Sequence, residues 1–127
     1  MTPDEEIAQS ERLQSIVESR LRAAERVYAA SAREMAALSE TMTICEADLA
    51  APALFEGDEP TYVLFAERRR ALLRRQLGAL EESLRRLRDA RIGQREKVET
   101  LLRQKTALEA TIDALRLDEK RRRSRTA

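Results

Sequence analysis

The chain of 127 residues has a net charge of +1, with 37% charged and 3% aromatic residues, and its length fits a single domain. Ala, Glu, Lys, Leu and Arg dominate the composition, which is typical of coiled coils and long helices, while three Gly and three Pro are too few for a loop-rich or all-β fold. The absence of His and the single Cys exclude a His general base, a His or multi-Cys metal site and an intramolecular disulfide, so we expect no enzyme activity, no metal and no cofactor.

A first long helix is predicted over residues 3–51. Thr2 and Glu5 have the spacing of a capping box, in which each side chain accepts a hydrogen bond from the other residue's amide, and Pro3 fits the first helical position. No Gly or Pro follows until Pro52. A helix of this length is typical of a coiled coil.

Mostly apolar residues recur along this helix at alternating spacings of three and four, which is the pattern of a heptad seam. They are Leu21, Ala24, Tyr28, Ser31, Met35, Leu38, Met42, Cys45 and Leu49. Upstream, Leu13, Val17 and Leu21 are spaced by four and four. This spacing predicts a local stutter that relaxes the supercoil.

Residues 52–60 are predicted to connect the first helix to a second. Pro52 ends the first helix, Gly57 allows a turn, and Pro60 fits the first turn of the next helix. The second helix is predicted over residues 61–121.

The second helix repeats the alternation of three and four. Its predicted seam consists of Leu77, Leu80, Leu84, Leu87, Arg91, Gln94, Val98, Leu101, Lys105, Leu108, Ile112 and Leu115. A basic tail over 120–127 is expected to fray. Gly78 and Gly93 each weaken the helix by about 1 kcal/mol relative to Ala.

The fold class that follows is all-α, a long two-helix antiparallel coiled-coil hairpin. Residues 1–60 carry 13 acidic and 5 basic side chains, a net charge of −8, whereas residues 61–127 carry 10 acidic and 19 basic, a net charge of +9. Because each half repels its own copies, the opposite charges favour pairing within the chain.

The sequence has no run of 18 apolar residues that would indicate a membrane span, and its acidic start is unlike a signal peptide. We therefore expect a cytoplasmic location.

The connection suggests a register for the two helices. If Ala51 lies opposite Pro60, then Leu13 faces Val98 and the first helix ends opposite about Glu109. The apolar residues beyond that point would project past the first helix and form a stripe without a partner. We therefore predict a protein-binding surface that includes Leu101, Leu108, Ile112 and Leu115. The alternative is that this stripe frays, or that the N-terminus covers it in a different register.

A basic cluster follows the stripe and extends the predicted binding surface. It consists of Lys120, Arg121, Arg122 and Arg123, with Arg125 beyond. A solvated helix end that complements the helix dipole is the first interpretation. The second is contact with an acidic protein surface, and the third is contact with nucleic acid or anionic lipid.

Polar residues of the second seam, Arg91, Gln94 and Lys105, are expected to fix the register or to mark a place where the helices part. At the connection, Phe55, Tyr62 and Phe65 are expected to close the end of the hairpin as an apolar plug. Cys45 is expected to be a small buried hydrophobe.

The second helix resembles the FliJ family of flagellar export proteins and the wider group of YscO-type stalk proteins of type III secretion. The resemblance rests on Val98, Leu101, Lys105, the run 107–109 and the run 118–123. It implies a cytoplasmic coiled-coil stalk or chaperone-escort protein that binds the export ATPase, the export gate and export chaperones, peripheral to the inner membrane through these partners. The stalk end would be residues 1–21 with about 91–123.

Two other functions remain open at this point. One is a homo-oligomeric coiled-coil scaffold or tether that associates through the exposed stripe. The other is a nucleic-acid or membrane-surface binder that works through the basic helix, with an affinity that falls steeply with salt.

Overall fold

The computed structural model describes residues 1–51 and 60–126, and two helices contain nearly all of them. Helix α1 spans Pro3–Ala50 and helix α2 spans Pro60–Thr126. The two helices pack against each other, and the described residues contain no strand, so the predicted all-α helical hairpin is confirmed. Helix α2 continues past its predicted end at about residue 121. Of the predicted connection, residues 52–59 lie outside the described residues.

The start of α1 is fixed by the capping box that the sequence predicts. The Glu5 amide donates to Thr2 Oγ1 at 3.2 Å, and the Thr2 amide donates to Glu5 Oε2 at 3.4 Å. The Glu6 amide then donates to the Thr2 carbonyl at 3.0 Å, and Pro3 is the first helical residue. These bonds satisfy amides that have no partner inside the helix.

The contacts divide the chain into two compact units. Unit 1 consists of Met1–Ala29 and Ile92–Ala127, and unit 2 consists of Ala30–Arg91. Each unit therefore contains one segment of α1 and one segment of α2.

Unit 1 has an antiparallel arrangement of its two segments. Leu21, Ala24 and Leu101 are buried together, and Val17 and Val98 pack against them. Towards its other end, Glu11 pairs with Arg116 and Asp4 with Arg123, so the numbering of the two segments runs in opposite directions.

Two contacts between the helices show that unit 2 is also antiparallel. The Cys45 thiol donates to the Leu73 carbonyl with an Sγ–O distance of 3.3 Å. Arg91 Nη1 donates to Ser31 Oγ at 2.7 Å. Leu84 is the most buried leucine of this unit.

The heptad seam is confirmed residue by residue. Every seam residue predicted on either helix is buried or half-buried. The predicted stutter is wrong, because Leu13 is 47% exposed and the seam instead continues through Gln14, Ser10 and Ile7, which are half-buried. The alternation of three and four is therefore unbroken at the start of α1, where polar residues hold seam positions.

The predicted register is wrong by seven to ten residues, between one and one and a half heptads. In unit 1, Leu21 packs with Leu101, whereas the prediction placed it opposite Arg91. In unit 2, Cys45 contacts Leu73, although the predicted register places it opposite residue 66. In both units, a given residue of α1 lies opposite a residue of α2 with a higher number than predicted. The start of α1 therefore lies closer to the end of α2 than expected.

Candidate protein-binding surfaces

The apolar stripe predicted to lack a partner is covered. Leu101 and Ile112 are only 7% and 3% exposed, and Leu108 and Leu115 are half-buried. The prediction of an unpaired overhang is therefore wrong, for the physical reason that the shifted register places the first turns of α1 beside the last turns of α2. These four residues belong to the seam of unit 1, and a partner would reach them only by separating the helices.

The two helices of unit 1 are joined by ion pairs up to their ends. Arg116 Nη2 lies 2.7 Å from Glu11 Oε1 and donates a hydrogen bond to it. Arg123 Nη2 lies 3.8 Å from Asp4 Oδ1. Both pairs join an acidic residue of α1 to a basic residue of α2, as the charge asymmetry of the sequence predicts. Each is exposed, so its contribution to stability is about 0.2–1 kcal/mol, and its larger effect is on register and orientation.

Glu119 is the last seam residue of unit 1 and is 9% exposed. Its Oε1 accepts hydrogen bonds from Arg122 Nη2 at 3.1 Å and from Arg123 Nε at 3.2 Å. Its Oε2 lies 2.9 Å from Arg122 Nη2 outside hydrogen-bond geometry. Burying a carboxylate charge is costly unless cations and hydrogen bonds accompany it, and the two arginines supply both. The sequence analysis missed this residue, although it follows Leu115 by four and so continues the alternation.

The basic cluster divides into two groups. Arg122 and Arg123 are drawn onto Glu119. Lys120, Arg121 and Arg125 are exposed and form no ion pair within the described residues. These three cations, on the helical last turns of α2, are the part of the predicted surface that remains accessible to an acidic partner.

A shallow cleft of about 310 Å³ opens beside this cluster, at the end of unit 1. Its lining combines one aliphatic residue with acidic and basic residues from both helices. They are Asp4, Ile7, Arg116, Glu119, Lys120 and Arg123. The side chains of this end are therefore predominantly charged.

One polar pair in the seam, Ser31 with Arg91, links the two helices. Ser31 is 4% exposed and accepts from the half-buried Arg91. Gln94 is half-buried, and Lys105 lies 3.9 Å from Glu109 on its own helix. The bond between Ser31 and Arg91 favours the interpretation that Arg91 helps to fix the register, because the bond forms only where residues 31 and 91 lie side by side.

The aromatic residues at the start of α2 do not form the predicted apolar plug. Tyr62 and Phe65 are 40% and 62% exposed, so the plug is wrong for these two residues, and Phe55 lies outside the described residues. Cys45 is buried, as expected for a small hydrophobe, and is not in a disulfide.

Ion pairs within α2 order part of its exposed surface. Glu82 accepts hydrogen bonds from Arg85 and Arg86. The hydrogen bond from Arg85 holds the pKa of the Glu82 carboxyl below its usual value. One carboxylate is therefore shared by two arginines, and the group keeps a net positive charge.

A groove of about 870 Å³ runs between the helices on one face of unit 1. Its floor contains the buried residues Ala24 and Leu101, and Arg20 and Lys97 lie at its edges. The remaining lining residues are small, aliphatic or uncharged: Ala23, Val27, Gly93, Gln94, Thr100 and Gln104.

Unit 2 has a similar groove of about 450 Å³. It is lined by Thr41, Ile44, Cys45, Asp48, Leu73, Gln76, Ala79, Leu80 and Ser83. In both units the walls are formed by the residues that precede each seam residue by one position. We call these positions the groove face. The residues that follow each seam residue by one, such as Glu11, Glu18 and Arg95, lie on the opposite and more highly charged face.

Comparison with known proteins gives no relative: no family model, no curated protein and no solved structure matches the chain. Neither described helix contains a segment long and apolar enough to cross a bilayer. The surfaces described above are therefore the basis for assigning a function.

Proposed function

We propose that this protein is a non-enzymatic coiled-coil stalk or adaptor of a flagellar-type protein export apparatus, and that it binds the export ATPase with the paired helix ends of unit 1. Export chaperones and the export gate are its further proposed partners. The proposal rests on the resemblance of α2 to FliJ-type proteins and on one structural observation. That observation is the pairing of both helices up to Asp4 and Arg123, beside a group of exposed cations.

The resemblance implies that the paired helix ends enter the ring of a hexameric export ATPase, and a paired end suits such insertion better than a single helix would. Two helices joined by Glu11–Arg116 and Asp4–Arg123 form a stiffer element than one helix that frays. Lys120, Arg121 and Arg125 would meet acidic groups of the ring, and exposed charges of this kind chiefly raise association rates and set orientation. The expected interaction therefore weakens as salt is added.

The proposal is tested by measuring binding to the export ATPase of the same organism and stimulation of its ATP hydrolysis. Reversing three charges at once, in the variant Lys120→Glu, Arg121→Glu and Arg125→Glu, should weaken binding about tenfold or more at low salt. The matched control reverses three exposed arginines near the start of α2, Arg68→Glu, Arg69→Glu and Arg70→Glu, and should bind like the wild type.

Two results would contradict the proposal. One is the absence of binding and stimulation by the wild-type chain at low salt. The other is an equal loss of binding in both triple variants, which would assign the interaction to net charge rather than to the paired end. Helicity measured by circular dichroism confirms that each variant remains folded.

A further inference from the structure

The first turn of α2 exposes four large apolar side chains in a row. Tyr62, Val63, Leu64 and Phe65 are 40%, 46%, 48% and 62% exposed. Every other exposed large hydrophobic residue in the described part of the chain stands singly in the sequence. An uninterrupted apolar run at the surface indicates a functional contact, because covering it would be favourable. We call residues 62–65 the apolar turn.

The apolar turn is exposed on all sides of its helix. Successive residues of an α-helix are rotated by about 100°, so four in a row encircle the helix axis. A protein groove binds one side of a helix, through residues three and four apart. A hydrocarbon phase, in contrast, surrounds a helix end that enters it. The exposure of all four neighbours therefore favours a membrane surface over a protein groove.

Arginines follow the apolar turn within a few residues. All five are exposed, and none forms an ion pair within the described residues. They are Arg68, Arg69, Arg70, Arg74 and Arg75. Guanidinium groups bind phosphate oxygens through paired hydrogen bonds, so these side chains suit the phosphates of a lipid surface.

Two of these arginines continue the apolar turn along the side of α2 that lies opposite its seam. The residues of this side recur at spacings of four, three and four, and they are Leu64, Arg68, Ala71 and Arg75. No acidic residue joins this stripe before Glu82. The stripe therefore presents apolar and basic side chains together, as helices that bind at a membrane surface do.

Acidic side chains lie near this end of unit 2 as well. The described residues 46–51 and 60–76 contain five arginines and three acidic residues, a net charge of +2. The connection adds Glu56, Asp58 and Glu59, which lie outside the described residues. Net charge therefore does not select the surface, and the order of the side chains does. Arg68–Arg70 follow Leu64 by about 6–9 Å along the helix, and interfacial helices enter a membrane by about 5–10 Å.

We propose that the apolar turn enters the surface of an anionic lipid bilayer while the arginines that follow it bind the lipid phosphates. This contact uses the start of α2 in unit 2, whereas the proposed ATPase contact uses the paired helix ends of unit 1. It goes beyond the proposed function and does not depend on it.

The first test is flotation of the purified full chain with vesicles. The chain should bind vesicles of phosphatidylcholine and phosphatidylglycerol in equal parts, and bind vesicles of phosphatidylcholine alone more weakly. Binding to the mixed vesicles should weaken as salt is added.

Serine substitutions test the apolar turn. Val63→Ser with Leu64→Ser should weaken binding to the mixed vesicles about tenfold or more, because each substitution removes apolar surface from the contact. The matched control, Ile92→Ser with Leu102→Ser, changes two residues that are 54% and 44% exposed and lie in unit 1. The control should bind like the wild type.

Charge reversal tests the arginines. The variant Arg68→Glu, Arg69→Glu and Arg70→Glu should weaken binding to the mixed vesicles about a hundredfold or more, since each basic residue near an anionic surface contributes about fivefold. The matched control, Lys120→Glu, Arg121→Glu and Arg125→Glu, reverses three charges at the end of α2 and should bind the vesicles like the wild type. The two variants should behave in the opposite way with the ATPase, so failure of one proposal is distinguishable from failure of the other.

Three outcomes would overturn the membrane contact. Absence of wild-type binding to the mixed vesicles at low salt would leave the apolar turn to a protein partner. Equal losses in the two charge-reversal variants would reduce the binding to general electrostatic adsorption. Equal binding by the two serine variants would show that the apolar turn does not enter the bilayer. Circular dichroism of each variant, compared with the wild type, shows that a loss of binding is not a loss of helix.

Discussion

Replacing Ile112 with Ala measures how completely the end of α2 is covered. The substitution removes three carbon atoms from a side chain that is 3% exposed. At about 0.8 kcal/mol for each buried methylene, the transfer loss is about 2.4 kcal/mol. A residual cavity adds to this loss, whereas entry of water into a two-helix seam and the higher helix propensity of Ala reduce it. We expect the free energy of unfolding to fall by about 2–3 kcal/mol.

The assay is urea unfolding followed by circular dichroism, at a fixed protein concentration because oligomerisation also shifts the midpoint. The expected loss corresponds to a midpoint lower by about 1–2 M urea. Leu117→Ala is the matched control, because Leu117 is 49% exposed on the same helix and should lose less than about 1 kcal/mol. If Ile112→Ala unfolded at the same urea concentration as the control, Ile112 would have no partner and the register of unit 1 would be refuted.

Further predictions concern the helices themselves. Gly93→Ala and Gly78→Ala should each stabilise the chain by about 1 kcal/mol, because Ala has the higher helix propensity and a Cβ at either position meets no atom within 4 Å. An unchanged or lower unfolding midpoint would show that the added methyl group is not accommodated. Thr2→Ala removes the capping-box acceptor and should cost about 1 kcal/mol, with faster amide exchange in the first turn of α1. The lowered pKa of Glu82 contributes stability that is present above the carboxyl's unfolded pKa and is lost as pH falls through its folded pKa. Arg85→Ala should raise the pKa of Glu82 towards its ordinary value, measured by NMR titration, and an unchanged pKa would rule out the hydrogen bond as its cause.

The seam could be predicted from sequence because its signal is local and repetitive. Residues from Leu21 to Leu49 and from Leu77 to Leu115 keep one alternation of spacings, and burial follows it. The capping box was predictable for the same reason, since all its atoms lie within four residues. The prediction failed where an apolar residue lay out of phase: Leu13 is exposed, and Gln14 is the seam residue.

The register could not be predicted from the apolar pattern alone. Sliding one helix by a whole heptad again places apolar residues opposite apolar residues, so the pattern is nearly degenerate. Pairs that are not repeated in every heptad discriminate between registers, notably Ser31 with Arg91 and the ion pairs of Asp4 and Glu11. The predicted register was based on the position of the connection alone and did not take these pairs into account.

The same degeneracy explains what was missed at the candidate sites. A shift of about ten residues in unit 1 converts the predicted exposed stripe into seam and places Glu119 at the last seam position. The groove face was missed because the sequence prediction considered only the seam residues and not the positions that precede them. Comparing the charges at those positions with the charges on the opposite face would have revealed it.

The most direct test of the account is the distance between residues 11 and 116. Spin labels are attached at Glu11→Cys and Arg116→Cys in a Cys45→Ala background, and their dipolar interaction is measured by electron paramagnetic resonance. Packed helices place the labelled turns about 10 Å apart, and strong dipolar broadening is expected. In the overhanging register residue 11 would lie opposite about residue 100, and residue 116 would be about 24 Å further along α2. A label separation of about 24 Å or more would therefore contradict the paired end on which the proposed function rests.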